Sequence, residues 1–169
     1  MSRAAALHTE PLRQAIHALK YQDRPQLAEP LGRYLIAAYQ QPPWINLAHP
    51  IDAVVPVPLH SERFAERGYN QSELLARMLC QDCSLTMRPD WMARIRPTRQ
   101  QVGLSPVERH ENVVDAFRAA AEVRGHTLLL VDDVYTTGST LEACAGAALD
   151  AGAKAVYALT LAVPSHAAR

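Results

Sequence analysis

Residues 128–134 run Leu-Leu-Leu-Val-Asp-Asp-Val, and residues 135–140 run Tyr-Thr-Thr-Gly-Ser-Thr. Four apolar residues in a row leave no polar alternation for a solvent-facing side. Such a run reads as a strand buried on both faces, which is the signature of a parallel sheet. Parallel strands need crossover connections, so helices must cover both faces. The run ends in two carboxylates, Asp132 and Asp133, and a turn of small hydroxyl residues with one glycine succeeds it. Leu141, Ala145, Ala148 and Leu149 then recur at helical spacing up to Gly152, a plausible C-cap. The order is strand, acid pair, hydroxyl-rich turn, helix.

The turn suits a phosphate monoester. The first backbone N–H groups of a helix have no internal partner, and the helix dipole is positive there. Thr136, Thr137, Ser139 and Thr140 add hydroxyl donors, and Gly138 lets the backbone come close. Asp132 and Asp133 would repel a phosphate. Carboxylates accept hydrogen bonds, so this pair calls for sugar hydroxyls or a metal ion. Ribose 5-phosphate, with a phosphate at one end and a vicinal diol beside it, satisfies both halves. The sequence holds no G-x-x-x-x-G-K-[ST] and no G-x-G-x-x-G. The acid pair also sits too near the C-terminus to open a receiver domain.

The stretch closely resembles the 5-phosphoribosyl-1-pyrophosphate (PRPP) motif of type I phosphoribosyltransferases. The resemblance implies that Asp132 and Asp133 hold the ribose 2′ and 3′ hydroxyls. It implies a catalytic role for Asp132 and Asp133 as well, and that Thr136, Thr137, Gly138, Ser139 and Thr140 hold the 5′-phosphate. Tyr135 stands where the motif usually has an aliphatic residue. The plainer reading is an ordinary buried strand with a Ser/Thr N-cap, and the strand–turn–helix context favours the motif.

With 169 residues the chain can bury one real core, and 49% hydrophobic with 20% charged residues fits a globular domain. A formal net charge of zero excludes a global basic field for nucleic acid, though not a local patch. No apolar run approaches membrane length, and residues 1–7 lack the apolar core of a signal peptide. Three cysteines fit a reducing cytoplasm better than a disulfide framework.

In chain order, Leu12, Ile16 and Leu19 mark a helix over 11–20. A second helix is expected from Asp23, with Pro25 in its first turn and Pro30 able to move the start. Residues 41–50 read as a connection, Ala53–Val57 as a strand and 59–69 as a loop. Asn70-Gln71-Ser72-Glu73 is a capping box that opens a helix. Trp91–Ile95 reads as a strand, residues 96–104 as irregular, Ser105-Pro106-Val107-Glu108 as the start of a short helix, and Ala155–Val163 as the last strand. The alternation predicts an α/β fold with a parallel sheet flanked by helices and ligands at the carboxyl ends of the strands. One domain is expected: an N-terminal helical segment over 1–50, acting as a hood over the site, and a core over 51–169.

Further stretches widen the likeness. They are Ile16–Tyr21, Val55–His60, Arg67–Gln71, and Thr98 through Phe117 with Arg99, Gln101, Leu104, Glu108, Arg109 and Asn112. Together they identify the chain as similar to the competence protein F (ComF) or GntX-like family of type I phosphoribosyltransferases. The resemblance implies a type I phosphoribosyltransferase fold and PRPP as substrate with Mg²⁺ as cofactor. By the same resemblance the loop over 59–69 is the pyrophosphate loop, with Arg63 and Arg67 as its candidates. Segment 96–112 corresponds to a closing flexible loop in which Arg99 and Arg109 cover the pyrophosphate, Arg109 with a catalytic role. His60 reads either as a proton shuttle or as a loop histidine, and Lys20 either faces the site or caps a helix. The family's association with natural transformation implies single-stranded DNA or DNA-uptake proteins as partners. Arg88, Arg94, Arg96, Arg99 and Arg109 make residues 88–110 locally basic.

Members of that family commonly carry a cysteine-rich zinc ribbon ahead of this domain, and the chain begins close to where it would end. Cys80 and Cys83 form the one close pair, and Cys144 is no obvious third ligand, so no structural zinc is expected. The first functional expectation is a transferase in which a ring nitrogen or ammonia displaces pyrophosphate at C1 of ribose. The second is a PRPP-responsive binding module without transfer.

Overall fold

The computed structural model describes residues 1–47, 49–97, 113 and 115–164. Its main sheet has four parallel strands in the order β1-β6-β5-β2: β1 Ser2–Leu7, β2 Ala53–Pro56, β5 Thr127–Val134 and β6 Ala155–Val163. A separate antiparallel pair joins β3 Met92–Arg94 to β4 Phe117–Ala119. The helices are α1 Leu12–Tyr21, α2 Ala28–Tyr39, α3 Ser61–Arg67, α4 Gln71–Cys83 and α5 Ser139–Asp150.

Strand β5 lies between β6 and β2, with Leu129 beside Val54 on one flank and Tyr157 on the other. Leu128, Leu129, Leu130 and Val131 have no exposed surface, as the unbroken apolar run requires. Alternate residues feed two cores. Leu129 and Val131 pack with Leu12, Ile16 and Leu19 of α1 and Leu75 and Leu79 of α4. Leu128 and Leu130 pack with Leu141, Cys144 and Ala148 of α5 and with Phe117 of β4. The chain leaving β2 therefore crosses one face through α4, and the chain leaving β5 crosses the other through α5. Adjacent strands whose crossovers part in this way leave a crevice beyond their carboxyl ends. The type I phosphoribosyltransferase fold has this arrangement.

Several elements depart from the expectations. Strand β1 has no counterpart among the expected elements; it pairs in parallel with β6 from Ser2 opposite Ala158 to Leu7 opposite Val163. The capping-box start at Asp23 is not realised. Asp23 takes a positive φ of 49°, a 3₁₀ turn covers Pro25–Leu27, and α2 begins at Ala28. Pro30 then falls in the first turn of α2, where its missing N–H costs nothing. The stretch expected as a loop over 59–69 folds as α3, capped by His60, whose Nδ1 accepts the Glu62 N–H at 3.4 Å. The expected strand over Trp91–Ile95 is trimmed to β3. Half of the capping box at α4 forms: Asn70 Oδ1 accepts the Ser72 N–H at 3.0 Å, while Glu73 turns to Arg77. Helices α2 and α4 touch at Gly32, where a Cβ would stand 2.7 Å from Met78 Cβ. The short helix expected from Ser105 lies outside the described residues.

Candidate functional site

The acid pair sits at the carboxyl end of β5, next to the start of the crevice. Because successive strand residues face opposite sides, the two carboxylates do not share one environment. Asp133 continues the Leu129–Val131 face and meets α1: Lys20 Nζ lies 2.7 Å from its Oδ1. The Asp133 side chain is 4% exposed, and its Oδ2 is buried with no hydrogen-bond partner among the described residues. An orphaned buried carboxylate oxygen is costly, so a donor supplied by a ligand has a ready seat there. Asp132 stays partly open to solvent, and its Oδ1 accepts the Ser72 hydroxyl at 2.8 Å and the Asp133 N–H at 2.9 Å. Loss of water and then the charge of Asp133 push its carboxyl up to about 7, against the opposing pull of Lys20. Burial works to lower the Lys20 ammonium, but the Asp133 carboxylate outweighs it and holds the group above its ordinary value. His8, just past β1, is held below its ordinary value by burial and then by Lys20.

After β5 the chain turns through Tyr135, Thr136, Thr137 and Gly138 into α5. Gly138 takes a φ of 86°, a left-handed conformation that favours glycine. A Cβ there would lie 2.6 Å from the Tyr135 hydroxyl, so the tyrosine ring covers the glycine. Thr137 Oγ1 and Ser139 Oγ are 2.9 Å apart, and the Ser139 N–H points at Thr137 Oγ1 at 3.4 Å. The five expected phosphate-loop residues thus form one continuous turn at the N-terminus of a three-turn helix. Tyr135, the departure from the motif, is built into that turn.

Arg63 and Arg67 lie on α3, off the end of β2. Arg63 pairs with Glu66 at 2.7 Å. Arg67 donates to Gln71 Oε1, and its guanidinium lies 5.4 Å from the centre of the Tyr21 ring. Both arginines line an open cleft of ≈ 560 Å³ whose other wall is Lys20, Tyr21 and Asp23. The geometry resolves the reading of Lys20, which faces the acid pair. Its position four residues after Ile16 puts it on the buried stripe of α1, where a lysine requires a carboxylate partner; that spacing was the available signal. Ser72 was missed, because a serine in a capping box gives no sign of a second contact. His60 caps α3, as a loop histidine does. Arg99 and Arg109 lie outside the described residues. Within the basic stretch, Arg88 stands over the Trp91 ring and Arg94, half-buried, over Phe117.

Cys80 is buried and burial pushes its thiol up to about 11; Cys144 is buried on the other face. Among the described residues no group of three or more His, Cys, Asp and Glu side chains comes together to hold a metal ion. Nor is any described helix long and apolar enough to cross a membrane.

A crevice at the carboxyl ends of a parallel sheet, an acid pair and a hydroxyl-rich turn define the class, and comparison with known families agrees. The family described as "Phosphoribosyl transferase domain" matches residues 44–168, so the chain belongs to the phosphoribosyltransferase-domain proteins. Within them it belongs to the ComF-like family. It is 37% identical over 153 residues to the DNA utilization protein YhgH of Escherichia coli K12, and 34% identical over 137 residues to competence protein F of Haemophilus influenzae. Those alignments cover 88% and 79% of this chain and 66% and 60% of the relatives. The chain therefore spans less than two thirds of their length. Among solved structures, the allosteric regulatory enzyme of purine biosynthesis is similar in fold, with a TM-score of 0.53 at 16% identity over 87% of this chain and 30% of that one.

Proposed function

We propose that the domain binds PRPP with Mg²⁺ and transfers its phosphoribosyl group to a nitrogen nucleophile, releasing pyrophosphate. What carries this reading is the end of β5, where the buried Asp133 Oδ2 lacks a donor and Asp132 is reachable from solvent. The ribose hydroxyls supply the missing donors. The turn at Gly138 and the first N–H groups of α5 receive the 5′-phosphate. The diphosphate then points toward Arg63 and Arg67. Bond cleavage sends the C1–O electron pair to pyrophosphate, while the nucleophile's lone pair forms the new bond at C1 and its extra proton passes to water. Positive groups fixed before the reaction stabilise the charge that develops on the leaving group. Mg²⁺ fits this site through PRPP's own oxygens, and it would neutralise part of the diphosphate charge. The N-terminal segment, through Lys20 and Tyr21, supplies the wall that a hood would otherwise provide.

A second reading draws on the relatives' names. "DNA utilization" and "competence" describe processes rather than transfers, which favours a PRPP-responsive module that works with DNA-uptake partners or single-stranded DNA in the cytoplasm. Titration with PRPP and Mg²⁺, then a screen of nitrogen acceptors for pyrophosphate release, separates the two. Release with at least one acceptor is the expected result. Tight binding with no release from any acceptor leaves the module standing. No binding of PRPP sinks both.

A further inference from the structure

The cleft off α3 and the acid pair of β5 are joined by one side chain. Lys20 has its Nζ 2.7 Å from Asp133 Oδ1, and it also lines the ≈ 560 Å³ cleft together with Arg63 and Arg67. Its side chain keeps 22% of its surface, so the ammonium is not sealed behind the carboxylate. An ammonium carries three donors, and Asp133 Oδ1 engages one of them. A purely structural ion pair has no need to sit in the wall of a cleft.

The end of α1 is held in place from the other side of that cleft. The Tyr69 hydroxyl donates to the Leu19 carbonyl at 2.6 Å, and the Arg67 guanidinium lies over Tyr21. Lys20 is thus fixed between its neighbours Leu19 and Tyr21, and the chain that fixes it, Arg67–Tyr69, lies at the end of α3. In the cleft Lys20, Arg63 and Arg67 stand against Asp23 and Glu66, and Glu66 is engaged by Arg63. Three cationic side chains thus converge on one cleft, and the donors of Lys20 and Arg67 not taken up by Asp133 and Gln71 are available to an anion seated there.

We infer that Lys20 is a pyrophosphate-binding residue, paired to Asp133 through one proton and donating its others to the diphosphate end of PRPP in the cleft shared with Arg63 and Arg67. The inference rests on the PRPP reading and extends it. The N-terminal helix delivers a cation that links the ribose carboxylates to the leaving group. A ligand bound at one end is thereby registered at the other through a single side chain.

Two separate probes test this, inorganic pyrophosphate with Mg²⁺ and ribose 5-phosphate, each titrated by calorimetry into the full chain. Lys20→Met should weaken pyrophosphate binding roughly tenfold or more, the loss expected for one charged hydrogen bond. Lys20→Arg should recover most of that loss. Lys20→Met leaves Asp133 without its cation, so Lys20→Met with Asp133→Asn serves as the charge-balanced partner variant, and it too should bind pyrophosphate weakly. If that double variant binds pyrophosphate as the wild type does, Lys20 is only the counter-ion of Asp133 and the proposal is wrong. An equal loss for both probes in Lys20→Met, with no recovery in Lys20→Arg, overturns it in the same way. If wild type binds PRPP but not pyrophosphate, the cleft assignment fails and the PRPP reading survives. If wild type binds none of the three, both fail together.

Discussion

Asp132 and Asp133 are neighbours in sequence and opposites in environment. Asp133 is buried against Lys20, whereas Asp132 is reachable and its carboxyl is raised to about 7 from 3.8. Between those two values the folded chain keeps a proton on Asp132 that the unfolded chain has released. Its contribution to stability is therefore full below 3.8, declines as pH rises, and is lost above about 7. Asp132→Asn removes this dependence. Thermal unfolding at pH 4 and pH 8 should show the variant gaining on wild type as pH rises; an equal difference at both values would refute the raised carboxyl. Asp133→Asn acts differently, because it leaves the Lys20 ammonium without its partner. It should cost about 2–3 kcal/mol in denaturant unfolding near neutral pH. A loss below about 0.5 kcal/mol, the usual scatter of surface substitutions, would mean that Lys20 finds another acceptor.

At the scale of elements, the turn between β5 and α5 depends on one residue's backbone. Gly138 has a φ of 86°, and the Tyr135 hydroxyl occupies the space a side chain would take. Gly138→Ala should cost about 1–3 kcal/mol and weaken ribose 5-phosphate binding more than it weakens pyrophosphate binding. Calorimetry with each ligand checks the second half, and equal losses would detach the turn from the phosphate. The other junction is Asn70, which caps α4 through Ser72 and donates from Nδ2 to the Val57 carbonyl at 3.0 Å. It ties the end of β2 to the helix that carries Ser72. Asn70→Ala should destabilise the fold by about 1–2 kcal/mol, read from the shift in denaturant midpoint. Both junctions were legible in part. The glycine and the capping box are local signals, whereas what each side chain touches beyond its own turn is not.

For the whole molecule, a ligand that binds only the folded state stabilises it by mass action. PRPP with Mg²⁺ at about a hundred times its dissociation constant should add roughly 2.7 kcal/mol. For a chain of this size that is a rise of roughly 5–10 °C in the unfolding midpoint. The rise should vanish in Asp132→Asn with Asp133→Asn; a rise of wild-type size in that double variant would put the ligand elsewhere. Transferase and binding module predict the same shift, so only pyrophosphate release distinguishes them.

The amino-acid sequence by itself determined the centre of the protein. A short apolar run without alternation, closed by an acid pair and a glycine-containing turn, reads as a strand covered on both faces, and the acid pair, hydroxyl turn and helix that follow are contiguous, so their order set their arrangement. Other elements needed the tertiary structure. Residues 2–7 carry no strand pattern of their own; β6 offers its edge, and backbone pairing along it makes β1 a strand. Helix α3 reads as a loop because its residues bury almost nothing, and a helix without an apolar stripe leaves no periodicity to detect. The inequality of Asp132 and Asp133 was equally hidden. Strand alternation sends the two carboxylates to different faces, but only the packing of α1 and α4 against β5 decides which one meets Lys20 and which one meets Ser72.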